Sequence, residues 1–319
     1  MTILLQIITS VLAPATIAIS SQNAAPAGSI PIPGGIKAIA VAGDNAYVSS
    51  GRELYLIDVS NPSAPVITSQ MLLPDEVQNL VIIDNLIYVA DGMAGLQIME
   101  LADSGPPKLI GSYYTPGYVW DVSVSGDYAF LANGRYGLQV VNVSDVSRPV
   151  YIANYPENAY SVFLDGEYAY MANWGKGLMI LNVNDPANPC LESIFGQLNC
   201  PEDVRVMGVY AYVADFEKGL TIIDISDPRH PILSAQYRAS NNAMNLFVRG
   251  KYVYIANDSS GLQILDISDP GHPVGVACNE TSPGALDVFV DEDQIFITYW
   301  ESGFHVINAS LYIKSKPGH

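Results

Sequence analysis

The feature that most constrains this chain is a short motif that returns seven times at an almost constant interval. Its fullest form is Gly-Leu-x-Ile-x-Asp-Ile-Ser-Asp-Pro, at residues 219–228 and 261–270. The hydrophobic residues that anchor the copies are Leu54, Leu96, Leu138, Leu178, Leu220, Leu262 and Phe304, so the spacings are 42, 42, 40, 42, 42 and 42 residues. A period of about 40–45 residues is typical of a β-propeller blade with four strands.

Each repeat reads as four short strands, which we call A to D. In the third repeat these are residues 119–124, 128–132, 137–143 and 150–155. Gly126-Asp127 supplies the positive φ of a tight hairpin between strands A and B, and Asp-Pro pairs end strand C. Gly and Pro recur at intervals of about ten residues, which excludes a helical solenoid, and a β-helix has a shorter repeat. The sequence therefore predicts an all-β fold, a seven-bladed β-propeller of four-stranded antiparallel blades.

A propeller needs a fastening between its first and last blades. Residues 28–34 (Gly-Ser-Ile-Pro-Ile-Pro-Gly) resemble residues 111–117, which end a D strand. We therefore predict that residues 28–33 form the outermost strand of the last blade, beside strand C near residues 303–309. The competing prediction is that residues 311–315 occupy that edge.

The repeats resemble the LVIVD repeat family, named for the core of strand C. That core stands here as Leu-Tyr-Leu-Ile-Asp58, Leu-Thr-Ile-Ile-Asp224 and Leu-Gln-Ile-Leu-Asp266. The resemblance covers nearly everything after residue 35 and implies a β-propeller of an exported or cell-surface protein. It implies no reaction. The second repeat departs from the pattern at Glu100, and the last repeat lacks the Asp-Pro turn.

The composition and the N-terminal residues narrow the range of possible functions. The 319 residues carry 14 Lys and Arg against 32 Asp and Glu, a net charge of -18. Such a surface repels phosphates, so we predict no nucleic-acid partner. Residues 1–20 carry no charge and precede a small polar stretch, which predicts a signal peptide over residues 1–25 and a single propeller domain over 26–319. We expect a secreted or cell-surface protein with no membrane span in its mature chain.

Motifs for catalysis or metal binding are missing from the sequence. The three cysteines, Cys190, Cys200 and Cys278, form no CxxC pair, and Cys190 and Cys200 bracket a predicted strand too long for a disulfide to span. No histidine lies beside a nucleophile, and no phosphate-binding loop occurs. We predict no catalytic residue, no metal and no cofactor.

Candidate binding residues gather on one face of the predicted ring, where the B–C and D–A loops meet. Polar side chains begin strand A in six repeats and end strand B in most. Aromatic side chains lie in the neighbouring loops, and large exposed rings favour binding. The candidate binding residues are Asp121, Asp203, Asp287, Asn79, Asn245, Trp120, Trp174, Trp300, Tyr136 and Phe216. The alternative is that the Asp and Asn residues cap turns in every blade and that the rings pack over neighbouring blades.

Three functions remain open from the sequence. The first is a non-catalytic, exported interaction module that offers its aromatic, acidic face to a protein or a glycan. The second is a structural component of a cell envelope. The third is a hydrolase or lyase in which an acidic pair such as Asp121 and Asp203 acts across the channel.

Overall fold

The protein is a closed ring of seven antiparallel four-stranded sheets, as the repeat predicts. We describe it from a computed structural model that places residues 26–102, 105–239, 241–279 and 284–311. The expected signal peptide, residues 1–25, lies outside these described residues. Strand A of each blade lines the central channel and strand D lies at the outer edge.

The first four blades follow the chain without interruption. Blade 1 contains β2 (Ile36–Ala42), β3 (Asn45–Ser50), β4 (Glu53–Asp58) and β5 (Val66–Leu72). Blade 2 contains β6 (Asn79–Ile83), β7 (Leu86–Ala90), β8 (Leu96–Glu100) and β9 (Lys108–Tyr113). Blade 3 contains β10 (Asp121–Ser125), β11 (Tyr128–Ala132), β12 (Leu138–Asn142) and β13 (Val150–Tyr155). Blade 4 contains β14 (Ser161–Asp165), β15 (Tyr168–Asn173), β16 (Gly177–Asn182) and β17 (Cys190–Phe195).

The last three blades include the one that takes a strand from the other end of the chain. Blade 5 contains β18 (Asp203–Met207), β19 (Tyr210–Ala214), β20 (Leu220–Asp224) and β21 (Ile232–Tyr237). Blade 6 contains β22 (Asn245–Arg249), β23 (Tyr252–Ala256), β24 (Leu262–Asp266) and β25 (Val274–Asn279). Blade 7 contains β26 (Ala285–Asp291), β27 (Gln294–Tyr299), β28 (Gly303–Asn308) and, outermost, β1 (Gly28–Ile30).

The hydrophobic core lies between neighbouring blades rather than inside any one of them. Strands B and C are buried almost throughout, and both of their faces are apolar. One cluster joins Leu96 and Ile98 of blade 2 to Val122 and Leu131 of blade 3. A single sheet cannot bury both of its faces, so each blade depends on the blades beside it for stability.

The N-terminal strand closes the ring, as predicted. β1 pairs antiparallel with β28, with Gly28 opposite Val306 and Ile30 opposite Phe304. The strand is shorter than the predicted 28–33 because Pro31 has no N–H to donate to the sheet. Because β1 occupies the outer edge of β28, the competing prediction that residues 311–315 fill that edge is wrong.

A repeated glycine contact joins the outer strand of one blade to the next blade. A Cβ built on Gly111 in blade 2 would lie 1.8 Å from the carbonyl oxygen of Val146 in blade 3. A Cβ on Gly28 in blade 7 would lie 2.3 Å from the carbonyl oxygen of Pro62 in blade 1. The closing junction therefore uses the same contact as an internal junction.

We expect Gly111→Ala to destabilise the protein by about 1–3 kcal/mol, the usual cost of overpacking a tight contact. The added methyl group meets a backbone carbonyl, which moves only if the turn moves. Gly196→Ala is the matched control, since the nearest atom to its Cβ would be 3.7 Å away. Chemical denaturation of both variants measures the difference. Equal stabilities would contradict the proposed tight junction.

Two further sequence expectations concern the described residues. None of the three cysteines is in a disulfide bond: Cys190 is exposed, Cys200 is half-buried and Cys278 is buried. Among the residues that the structure describes, no helix has the length and apolar character to cross a membrane.

Candidate functional site

Three adjoining spaces open along the channel axis and on the face that carries the B–C and D–A loops, which we call the top face. The channel itself encloses about 450 Å³ between the seven A strands. Its opening on the top face, which we call the mouth, adds about 310 Å³. Beside the mouth lies a groove of about 410 Å³, which runs over blades 2 to 4.

The structure brings most of the predicted site residues together. Seven of the ten line the mouth: Asn79, Trp120, Asp121, Trp174, Asp203, Asn245 and Trp300. Asp287 lies lower, in the wall of the channel, and Tyr136 lines the groove. Phe216 lines none of the three spaces. Its backbone has a φ of 39° and bridges Ala243 at the junction of blades 5 and 6.

The three predicted aspartates are structural links between blades. They are only 3–5% exposed, and each accepts a backbone N–H from the first strand of the following blade. The distances are 2.9 Å from Val162 N to Asp121 Oδ2, 3.2 Å from Leu246 N to Asp203 Oδ2 and 2.8 Å from Ile39 N to Asp287 Oδ2. The last of these bonds crosses the closing junction between blades 7 and 1.

Neighbouring polar side chains extend these links around the ring. Asn79 Nδ2 donates to Asp121 Oδ1. Ser161 Oγ lies 2.9 Å from Asp121 Oδ2 and 3.1 Å from Asp203 Oδ1, so one hydroxyl bridges two carboxylates. The sequence expectation that these residues cap their own turns is therefore incomplete, because their partners belong to other blades.

One arginine sits among these carboxylates. Arg205 Nη1 lies 3.2 Å from Asp203 Oδ1, and the side chain is 23% exposed to the channel. Burial raises the pKa of Asp121 and Asp203, although Arg205 acts in the opposite direction. Burial raises the pKa of Asp287 to about 7. Burial disfavours the charged guanidinium, but the three carboxylates outweigh it, and the pKa of Arg205 is raised.

Two of the polar residues that end strand B, Asp215 and Asn173, behave as the turn-capping alternative predicts. Asp215 Oδ1 accepts the N–H groups of Asn199 and Cys200 at 2.8 Å, and so fixes the D–A loop of its blade. Asn173 does the same work in blade 4: its Nδ2 donates to the carbonyl of Asn158 at 2.7 Å. These side chains are buried beneath the top face.

Aromatic rings form a ridge between the mouth and the groove, which we call the aromatic ridge: Tyr118, Trp120, Tyr160 and Trp174. Tyr160 and Trp174 stack with ring centroids 3.8 Å apart and an interplanar angle of 6°. Trp120 lies 6.4 Å from Trp174 and 4.8 Å from Tyr118. The inner rings are half-buried, whereas Trp174 is 40% exposed and offers a rigid face to solvent.

A third tryptophan faces the ridge from the other side of the mouth. Trp300 is 55% exposed and its ring lies over Gly35, where an added Cβ would be 2.3 Å from the ring. It therefore covers the junction of blades 7 and 1. All three tryptophans of the chain line the mouth.

The groove contains a residue that the sequence did not single out. Asn133 ends strand B of blade 3, is fully buried, and neither its Oδ1 nor its Nδ2 has a hydrogen-bond partner. Tyr136, 41% exposed, packs beside it over Gly117. Repeat alignment groups Asn133 with Asn173, whose amide is satisfied, so no sequence signal separates the two.

The exposed acidic residues lie mostly on the face opposite the mouth. That face carries the A–B and C–D turns, whose exposed aspartates include Asp44, Asp84, Asp127, Asp145, Asp165, Asp185, Asp227 and Asp269. Carboxylates of the top face are mostly buried or half-buried, as at Asp75, Glu76 and Glu202. The top face is thus more aromatic than acidic. Within the described residues, no three potential ligands are placed to hold a metal ion.

The comparisons with known proteins agree with this architecture. The fold is similar to the β-propeller domain of Cps50 (Swd1) from Myceliophteria thermophila, with a TM-score of 0.70, 11% identity, and coverage of 88% of this chain and 97% of that domain. It is also similar to the computationally designed protein Ika8, with a TM-score of 0.65, 7% identity, and coverage of 88% and 98%. No curated protein matches the sequence.

The sequence model of the LVIVD repeat matches six consecutive stretches of the chain. They are residues 33–72, 75–115, 116–157, 156–196, 201–239 and 240–278. Blade 7 lies outside the matched stretches, in keeping with its divergent final repeat. These matches cover most of the ring, and the chain belongs to the LVIVD repeat family.

Proposed function

We propose that this protein is a non-catalytic binding module, exported to the cell surface or beyond, whose top face binds a protein or a glycan. The observation that carries the proposal is the convergence of Trp120, Trp174 and Trp300 on the mouth of one channel. They come from three different blades, and two of them keep 40% and 55% of their surface exposed. Exposed tryptophans are enriched at binding surfaces because they bury a large area at low entropic cost.

The acidic residues support binding over catalysis. A general acid or base must reach the substrate, and Asp121 and Asp203 are almost fully buried and occupied by hydrogen bonds between blades. Replacing them removes structural links as well as any chemistry. The hydrolase or lyase hypothesis therefore loses the residues on which it rested.

We expect the double variant Trp174→Ala and Trp300→Ala to fold normally and to lose binding. Truncation of an aromatic anchor typically weakens binding about 30-fold or more. The measurement is binding of the mature protein to an oligosaccharide array and a peptide array. The matched control is Val209→Ala with Ile232→Ala, two exposed apolar residues remote from the mouth.

Binding that survives in the tryptophan variant and disappears in the control variant would move the site off the top face. Failure of the unaltered protein to bind anything on either array favours the second function, a structural role in the cell envelope.

A further inference from the structure

We infer that the groove beside the mouth is a binding site for a neutral glycan, with one sugar ring stacked on Trp174 and its hydroxyls directed toward Asn133. This inference rests on the proposed function and names its ligand class. The groove is distinct from the channel, and its walls are the aromatic ridge on one side and Tyr136 on the other.

The first argument is the rigidity of the stacking surface. Trp174 cannot tilt freely, because Tyr160 lies parallel behind it at 3.8 Å and Trp120 lies against both rings at 6.4 and 6.1 Å. The C–H groups on one face of a pyranose carry slight positive charge, and the face of an indole is electronegative. A ring fixed before binding loses little entropy when a sugar stacks on it.

The second argument is the unpaired amide of Asn133. Both of its polar atoms are buried without partners, an arrangement that costs about 1–3 kcal/mol. At the equivalent position in blade 4, Asn173 Oδ1 accepts two N–H groups at 2.9 Å and Nδ2 donates to a carbonyl. The amide of Asn133 offers one acceptor and one donor to the groove. A pair of neighbouring hydroxyls matches that combination, because each hydroxyl both donates and accepts.

The third argument is charge. Among the residues that the structure describes, no carboxylate lines the groove. The one charged residue in that lining, Arg135, is exposed and lies over the ring of Tyr136 at 5.3 Å from the centroid. The net charge of -18 disfavours an acidic glycan by long-range repulsion. A neutral ligand is the class that the groove accepts without an electrostatic penalty.

The experiment is calorimetric titration of the mature protein with neutral hexasaccharides, namely cellohexaose, mannohexaose and xylohexaose. Hexagalacturonic acid serves as the acidic counterpart. We expect at least one neutral probe to bind, and Trp174→Ala and Tyr136→Ala each to weaken that binding about tenfold or more. Tyr151→Ala is the matched control, an exposed aromatic residue of an outer strand that lines neither the mouth nor the groove, and should leave the affinity unchanged.

A second variant tests the amide itself. Asn133→Leu replaces an unpaired buried amide by an apolar group of similar size, so it should fold at least as stably as the unaltered protein. We expect it nevertheless to lose about tenfold in affinity for the neutral probe. An Asn133→Leu variant that loses stability and keeps its affinity assigns the amide to the fold and overturns its role in binding.

The remaining outcomes separate this inference from the proposed function. Binding of a peptide that depends on Trp174, with no neutral saccharide bound, overturns the inference and leaves the proposed function standing. Saccharide binding that depends on Trp300 and not on Trp174 overturns the groove as the site. No binding by either ligand class overturns both.

Discussion

Replacing Ile32 by alanine is expected to lower the stability of the whole ring by about 2–5 kcal/mol, the usual cost of truncating a buried isoleucine. Ile32 is 2% exposed and packs with Phe304 and Val306 of the last blade and Ile36 of the first. Ile32 therefore packs against both the first blade and the last blade. The melting temperature should fall by about 5–15 °C, as measured by calorimetry or circular dichroism.

Deletion of residues 26–34 should have a larger effect. It removes β1 together with the N–H of Ala27 that donates to Val306 at 2.8 Å, and it exposes the edge of β28. Ser29→Ala is the control, since Ser29 is the exposed residue of the same strand. An unchanged melting temperature after the deletion would show that the ring is held closed by something other than this strand.

Removal of the Asp287 carboxylate is expected to destabilise the closing junction of the ring. Asp287 Oδ2 accepts the N–H of Ile39 and Oδ1 accepts the N–H of Val288, both at 2.8 Å. Alanine leaves both buried N–H groups without these acceptors, at about 1–3 kcal/mol each. Chemical denaturation should show the loss for Asp287→Ala and almost none for Asp127→Ala, an exposed carboxylate in an A–B turn. Equal losses of stability in the two variants would show that Asp287 does not stabilise the closing junction.

The same carboxylate makes stability depend on pH. Asp91, which directly follows β7 in blade 2, is also fully buried. Burial raises the pKa of Asp287 and that of Asp91 to about 7, from 3.8. The folded protein then binds protons that the unfolded chain has released, so this contribution is complete below about pH 4 and is lost as the pH rises through 7. We expect a higher melting temperature at pH 5 than at pH 8.

Variants assign this pH dependence to its source. Asp287→Asn and Asp91→Asn should each reduce the difference in melting temperature between pH 5 and pH 8, because the amide does not titrate. Asp127→Asn should leave the difference unchanged. A protein that becomes more stable between pH 5 and pH 8 contradicts the raised pKa values.

Much of this fold can be predicted from the sequence because each blade carries its own copy of the repeat motif. The anchor residues fix the number of blades, and the likeness of residues 28–34 to residues 111–117 identifies the closing strand. The structure explains that likeness, since Gly28 and Gly111 meet equivalent carbonyl groups of the following blades. Because the blades share one strand order, their B–C and D–A loops lie on the same face, and these loops bring all three tryptophans to the mouth.

The partners of the polar side chains were not predictable in the same way. The carboxylate of Asp121 accepts the backbone N–H of Val162. Every residue except proline has a backbone N–H, so the sequence does not identify this partner. Asn133 and Asn173 are the same residue at the same repeat position, yet only one amide has partners. The difference arises from the loops around them, where Gly117 and Tyr136 pack on Asn133 and the carbonyl of Asn158 faces Asn173.

The pairing of β1 with β28 also dictates when the molecule becomes complete. Gly28 pairs with Val306, and nearly the whole chain lies between these two residues. The ring can therefore close only after all the intermediate blades are available. Contacts between such distant segments form slowly, because the entropy of closing a long loop is lost before the contacts stabilise the fold. During synthesis, a growing chain would therefore remain an unsealed arc until the residues of β28 emerge.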